Sequence, residues 1–204
     1  NSIIIDPVFE QSDRDLSEIK KLGLNLLYIF ETHVHADHIT GASNLKEKTR
    51  AKICYGSKTG VDGADIFFED GYKLNLDNHE IFVIHTPGHT SGCVCYYVKG
   101  YIFTGDTLFI EGTGRTDFQE GSSNDIYDSV KNKIFKYPDE TIVYPCHNYK
   151  GFLSSTIGYE KKFNPNVGNN ISKKEFLENE RKKNRPYPKK FDTAVPANLK
   201  CGKT

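Results

Sequence analysis

An α/β fold, with sheets covered by helices, is predicted by two features of the sequence. Short runs of strand-forming residues recur along the chain, several of them followed by helical stretches. Four polar clusters rich in His and Asp each lie just beyond such a run. In chain order, Ile3–Ile5 reads as a strand ending at Asp6-Pro7, and Leu16–Leu22 as a helix stopped near Gly23. Leu26–Phe30 is an apolar run of strand length. A helix over Ile39–Lys48 follows, then strands around Ala51–Tyr55 and Ile66–Phe68. Glu80–His85, Gly92–Val98 and Tyr101–Thr104 are alternating or β-rich. Ile126, Val130 and Ile134 at helical spacing predict a helix over Asp125–Phe135. Thr141–Tyr144 is a further strand, Phe152–Phe163 a helix ending near Asn164-Pro165, and Lys173–Lys183 a charged helix. An irregular tail with Pro186, Pro188 and Pro196 closes the chain.

The polar clusters are Thr32–His38, Thr86–Thr90, Gly105-Asp106 and His147, each placed after one of these strands. Loops at the carboxyl ends of strands build the ligand crevice of open α/β sheets, so four such loops point to one site.

Composition narrows the function. Lys plus Arg and Asp plus Glu number 27 each, so the basic field of a nucleic-acid binder is missing. The balance is uneven: residues 172–204 carry ten basic against four acidic side chains, a tail able to dock a small anion or simply to be solvated. No apolar run approaches the roughly 18 residues that cross a bilayer. The five Cys, at 54, 93, 95, 146 and 201, are odd in number and lack CxxC spacing. That argues against a disulfide framework or a zinc ribbon and for a reducing compartment. A start at Asn1, without Met, suggests a trimmed chain.

His33-Val34-His35-Ala36-Asp37-His38 packs four potential metal ligands into six residues. In an extended loop His33 and His35 project to one side, because side-chain direction has a period of two. Thr-Pro-Gly-His-Thr at 86–90 supplies His89 from a Gly-bent loop, Phe-Thr-Gly-Asp at 103–106 supplies Asp106, and Tyr-Pro-Cys-His at 144–147 supplies His147. His79 and His85 sit outside these loops and are expected to be structural. Cys146 is expected to be a small buried thiol at a strand end rather than a nucleophile, since no activating base is evident near it.

The order HxHxDH, TPGHT, GD, H resembles the metallo-β-lactamase superfamily. The runs at 32–41, 104–110 and 114–119, the segment 151–158, Asn164-Pro165 and the closing Ala194–Asn198 with Cys201-Gly202 are similar to its persulfide dioxygenase branch. The resemblance implies one domain over 1–204, a four-layer αββα sandwich of two mixed sheets, with a short N-terminal β segment missing and 172–204 packed on as a basic tail. It further implies one Fe(II) per chain held by His33, His89 and Asp106, a ligand set that leaves open positions for O2 and substrate. His35, Asp37, His38 and His147 would orient water or the ligands themselves, or hold a second metal. Asn148 stands where the family usually has Asp, removing a charge and putting metal loading in question. Arg115, in the glycine-flanked run 112–117, and Tyr149 are candidates for holding the glutathione moiety, with an Arg115–Asp117 ion pair as the plainer alternative.

The implied reaction converts glutathione persulfide, O2 and water to glutathione and sulfite, in the mitochondrial matrix of a eukaryote or the cytoplasm otherwise. No nucleic-acid or membrane partner is expected, and the chain is a monomer or a homodimer. Two rivals use the same residues: a glyoxalase II-like hydrolase of glutathione thioesters with two Zn(II), and a metal- or sulfur-binding module without turnover.

Overall fold

The computed structural model describes residues 1–148 and 151–203. The chain divides into two compact units, Asn1–Phe68 with Leu76–Asn78 and Pro186–Thr204, and Glu69–Asn75 with His79–Arg185. Each has its own sheet and hydrophobic core.

The first unit holds β1 (Ser2–Ile5), α1 (Ser12–Lys21), β2 (Leu26–Phe30), α2 (Ala42–Thr49), β3 (Lys52–Gly56) and β4 (Ile66–Phe68). Its strands lie in the order β1-β2-β3-β4, every neighbouring pair parallel. This sheet is therefore parallel, not mixed as expected. The reason is connectivity: α1 and α2 carry the chain back between strands, and such crossovers make parallel neighbours. In α1, Asp13 and Asp15 occupy the first turn and Lys20 and Lys21 the last, matching the helix dipole. Leu16, Leu26, Ile29, Leu45 and Ile53 form the core.

The second unit holds β5 (Lys73–Leu76), β6 (His79–His85), β7 (Val94–Val98), β8 (Tyr101–Gly105), α3 (Ser123–Asn132), β9 (Ile142–Pro145), β10 (Ser155–Thr156), α4 (Ile157–Phe163) and α5 (Lys173–Lys182). The sheet order is β10-β9-β8-β7-β6-β5. β7 is antiparallel to both β6 and β8, and β8 is parallel to β9. Hence β6, β8 and β9 run the same way and release their carboxyl ends at one edge of the sheet. Ile126, Val130 and Ile134 are fully buried, as their spacing predicted.

Several elements differ from expectation, among them β5, a short Lys-Leu-Asn-Leu strand absent from the sequence reading. Helix α2 begins at Ala42 rather than Ile39, because Thr40 is used for bracing described below. Helix α4 begins at Ile157 rather than Phe152, since Ser155 and Thr156 pair with β9 and Thr156 caps the helix by accepting from the Tyr159 N–H. The tail contains α6 (Phe191–Asn198) with Pro196 inside it. No helix among the described residues is long and apolar enough to cross a membrane.

Candidate functional site

In the first unit the chain leaves β2 directly into Glu31-Thr32-His33-Val34-His35, all buried. Asp6, in the left-handed region at φ 50°, turns its carboxylate under this loop. It accepts the Thr32 N–H at 2.7 Å and the Thr32 hydroxyl at 2.8 Å. With its proton given to Asp6, the Thr32 oxygen accepts from His33 Nδ1 at 2.9 Å, and this assigns the lone pair of His33 to Nε2. His35 Nε2 lies 3.1 Å from Asp6 Oδ1 and 3.3 Å from Glu31 Oε2. Burial alone would lower the His35 pKa, but the two carboxylates hold it well above the usual imidazole range. Burial raises the Glu31 carboxyl, which also accepts from the Thr40 hydroxyl. His38 Nδ1 is 3.3 Å from Asp37 Oδ2, and His35, Asp37 and His38 are close enough to share a cation.

The C-terminal segment braces this loop. The buried Asn198 amide donates to the carbonyls of His35 and His38, both at 2.8 Å, and its oxygen accepts the Thr40 N–H at 2.9 Å. A Cβ on Gly202, at φ 78°, would come within 2.2 Å of the Thr40 carbonyl oxygen, so only glycine lets the tail approach so closely.

In the second unit His89, Asp106 and His147 follow β6, β8 and β9 at the shared edge. Gly88, at φ 140°, lies so close to α3 that a Cβ would fall 2.2 Å from the Ile126 nitrogen. The Ser129 hydroxyl donates to the Pro87 carbonyl and Ser122 N–H to the Gly88 carbonyl, fixing the His89 loop on the helix. His89 Nδ1 donates to the Arg115 carbonyl at 2.7 Å, which directs the Nε2 lone pair at Asp106, 3.6 Å away. His147 Nε2 lies 3.6 Å from the other Asp106 oxygen, with its ring edge-on to Phe109. These gaps exceed a hydrogen bond. His89 and Asp106 stand close enough to share a cation. The donors, imidazole and carboxylate, suit iron or zinc.

The Arg115 guanidinium forks onto Asp117, at 2.7 and 2.8 Å, and stacks over the Phe118 ring at 4.6 Å. The pair raises the Arg115 pKa and lowers that of Asp117. The plainer alternative for Arg115 is thus what the side chain does in this structure, while its carbonyl orients His89. Asn148 donates to the Phe152 carbonyl. Tyr149 lies outside the described residues. His85 Nε2 meets the Ser91 carbonyl at 2.9 Å, across the base of the 86–90 loop, and His79 is exposed. The five cysteines are free and four of them are buried; Cys146, expected to be buried, is only half-buried, since it lies at the open end of β9.

Residues 1–147 match the metallo-β-lactamase superfamily. Over 203 residues the chain is 41% identical to the human mitochondrial persulfide dioxygenase ETHE1, covering 98% of this chain and 79% of that protein. It belongs to the persulfide dioxygenase branch of the metallo-β-lactamase superfamily. Among solved structures it is similar to ETHE1 from Myxococcus xanthus, with a TM-score of 0.95 and 44% identity over 98% of this chain and 88% of that one. The hydroxyacylglutathione hydrolase of Buchnera aphidicola is 35% identical over 178 residues, 84% of this chain and 68% of that protein. The persulfide dioxygenase match therefore spans more of the chain. Sequence reasoning missed Asp6, Glu31 and the Arg115 carbonyl. A lone acid is a weak signal, but Asp6-Pro7 at a strand end could have been noticed.

Proposed function

We propose that this chain is an iron-dependent dioxygenase that oxidises glutathione persulfide with O2 and water, releasing glutathione, sulfite and two protons. The observation that carries the reading is the similarity to persulfide dioxygenases along 98% of the chain. The metal ligands of this proposal are His33, His89 and Asp106. Iron in a two-His, one-carboxylate set keeps open positions at which O2 and a persulfide sulfur can meet.

The chain's own residues prepare that set. Thr32 holds His33 Nδ1, and the Arg115 carbonyl holds His89 Nδ1, so both rings offer Nε2. Asp6 and Glu31 fix the His35 ring, and Asn198 fixes the backbone of the loop. His35, Asp37, His38, His147 and Asn148 orient water and ligands. Arg115 and Tyr149 receive the glutathione moiety, a carboxylate of which would have to share the Arg115 fork with Asp117. Glutathione persulfide and O2 are the partners, and the mitochondrial matrix is the compartment if the source is eukaryotic.

A second reading, thioester hydrolysis with two Zn(II), is favoured by the proximity of His35, Asp37 and His38. An O2 electrode run with glutathione persulfide, beside hydrolysis of a glutathione thioester, separates the two. O2 uptake without thioester cleavage supports the dioxygenase; thioester cleavage without uptake overturns it. Metal binding with neither reaction supports a non-catalytic module.

A further inference from the structure

We propose that Glu160 is a positioning residue for the loop 109–115 and, through that loop, for His89 and Asp106. The loop backs His89 and Asp106 through the Gly114 N–H and the Arg115 carbonyl, yet little in its own sequence would hold it. Phe109 and Gly112 close a tight turn by hydrogen bonds in both directions, at 3.0 and 3.4 Å. Glu111 at its tip has φ 56°, a left-handed conformation that a side-chain-bearing residue keeps only when its surroundings impose it. On one side of the turn, Phe109 sets its ring edge-on to His147. On the other, the Gly114 N–H donates to the Asp106 carbonyl at 3.0 Å, and the Arg115 carbonyl takes the His89 Nδ1 proton.

The restraint comes from α4. Glu160 is wholly buried, and a buried carboxylate persists only where donors surround it. Its Oε2 accepts the Glu111 N–H at 2.9 Å and the Asn164 amide at 2.8 Å, while its Oε1 accepts the Ser155 hydroxyl at 2.5 Å. The Asn164 amide donates as well to the Gly112 carbonyl at 3.1 Å, and the Tyr159 hydroxyl reaches Glu111 Oε1 at 2.5 Å. Glu160 is thus the shared acceptor of β10, the end of α4 and the strained tip of the loop. Without it, Glu111 loses the bond that holds its backbone, and the turn is free to relax away from His89 and Asp106.

The inference rests on the proposed metal set, but its test needs neither persulfide nor O2. Apo full-length chain is titrated with Co(II), a redox-stable probe, against a competing chelator, and the melting temperature of each variant is recorded. Glu160→Ala is expected to weaken Co(II) roughly 10–100-fold, the range for groups that orient metal ligands. Glu160→Gln retains an acceptor for Glu111 and Asn164 and can donate to Ser155, so it should restore affinity to within about threefold. Should Glu160→Ala fail to fold, Asn164→Asp carries the same expectation as Glu160→Ala. It is isosteric and sets an oxygen against Glu160 and the Gly112 carbonyl. A lower melting temperature with Co(II) affinity unchanged would make Glu160 merely stabilising and overturn the proposal, as would a Gln variant as impaired as Ala. Failure of wild-type chain to consume O2 would sink the dioxygenase reading and leave this one standing.

Discussion

Gly114→Ala tests how tightly His89 and Asp106 are packed. A Cβ at Gly114 would stand 2.1 Å from the Asp106 carbonyl oxygen and 3.1 Å from His89 Nδ1. Ordinary contact lies near 3.5 Å, so the loop must retreat by about 1 Å or more. The obstacle is backbone, which cannot swing aside. Such overpacking costs about 1–3 kcal/mol. The retreat also strains Gly114 N–H to Asp106 O and His89 Nδ1 to Arg115 O, each worth roughly 1 kcal/mol. The sum is about 2–5 kcal/mol, which at this length lowers the melting temperature by roughly 5–15 °C. Freed of its carbonyl partner, His89 should also bind metal about 10–100-fold more weakly. Calorimetry and chelator competition read the two effects. Gly112→Ala is the control, since the nearest atom to its Cβ would be Phe109 Cβ at 3.7 Å, an ordinary contact. It shares the loop and the same gain from restricting the unfolded chain. If Gly114→Ala melts and binds metal as Gly112→Ala does, the packing argument fails.

Arg115→Lys keeps the charge but loses the fork, so the KM for glutathione persulfide should rise about tenfold at unchanged metal content if the guanidinium receives substrate. An unaltered KM with a lower melting temperature would confine Arg115 to shaping its loop with Asp117. Asn148→Asp sets an oxygen against the Phe152 carbonyl where an amide now donates; the contact is exposed, so stability should fall by no more than about 1 kcal/mol with no gain in metal occupancy. A several-fold gain in occupancy would show instead that the missing carboxylate is a defect. Burial pushes Cys54 and Cys93 up to about 12 and Cys201 to about 11, leaving few thiolates at neutral pH. Half-buried Cys146 should then be the first and only thiol alkylated rapidly in the native chain; fast uptake of a second equivalent would contradict this.

Apart from β5 and β10, the strands were legible because each is a short run bounded by turn residues, and β2, β6, β8 and β9 carry the candidate site loops at the ends that the sequence suggested. What local pattern could not show was the pairing of distant segments. Thr40 looks helical by its neighbours, yet Asn198, 158 residues away, takes its N–H and keeps it out of α2. Ser155 and Thr156 join β9 instead of opening a longer helix, although a Thr just before an apolar run is a capping signal. Pro196 hid α6, whose tertiary bonds to the His35 and His38 carbonyls outweigh a proline's cost. The candidate His and Asp residues declared themselves through clustering. Asp6, Glu31 and Glu160 did not, because a solitary acid reads as surface until the fold buries it.

The central claim, persulfide oxidation at a single iron, is tested most directly by titrating apo chain with Fe(II) under anaerobic conditions and assaying each point for persulfide-dependent O2 uptake. Activity should climb linearly and break at about one iron per chain, with Zn(II) unable to replace it. A break at two metals per chain, or full activity with Zn(II), would contradict the account.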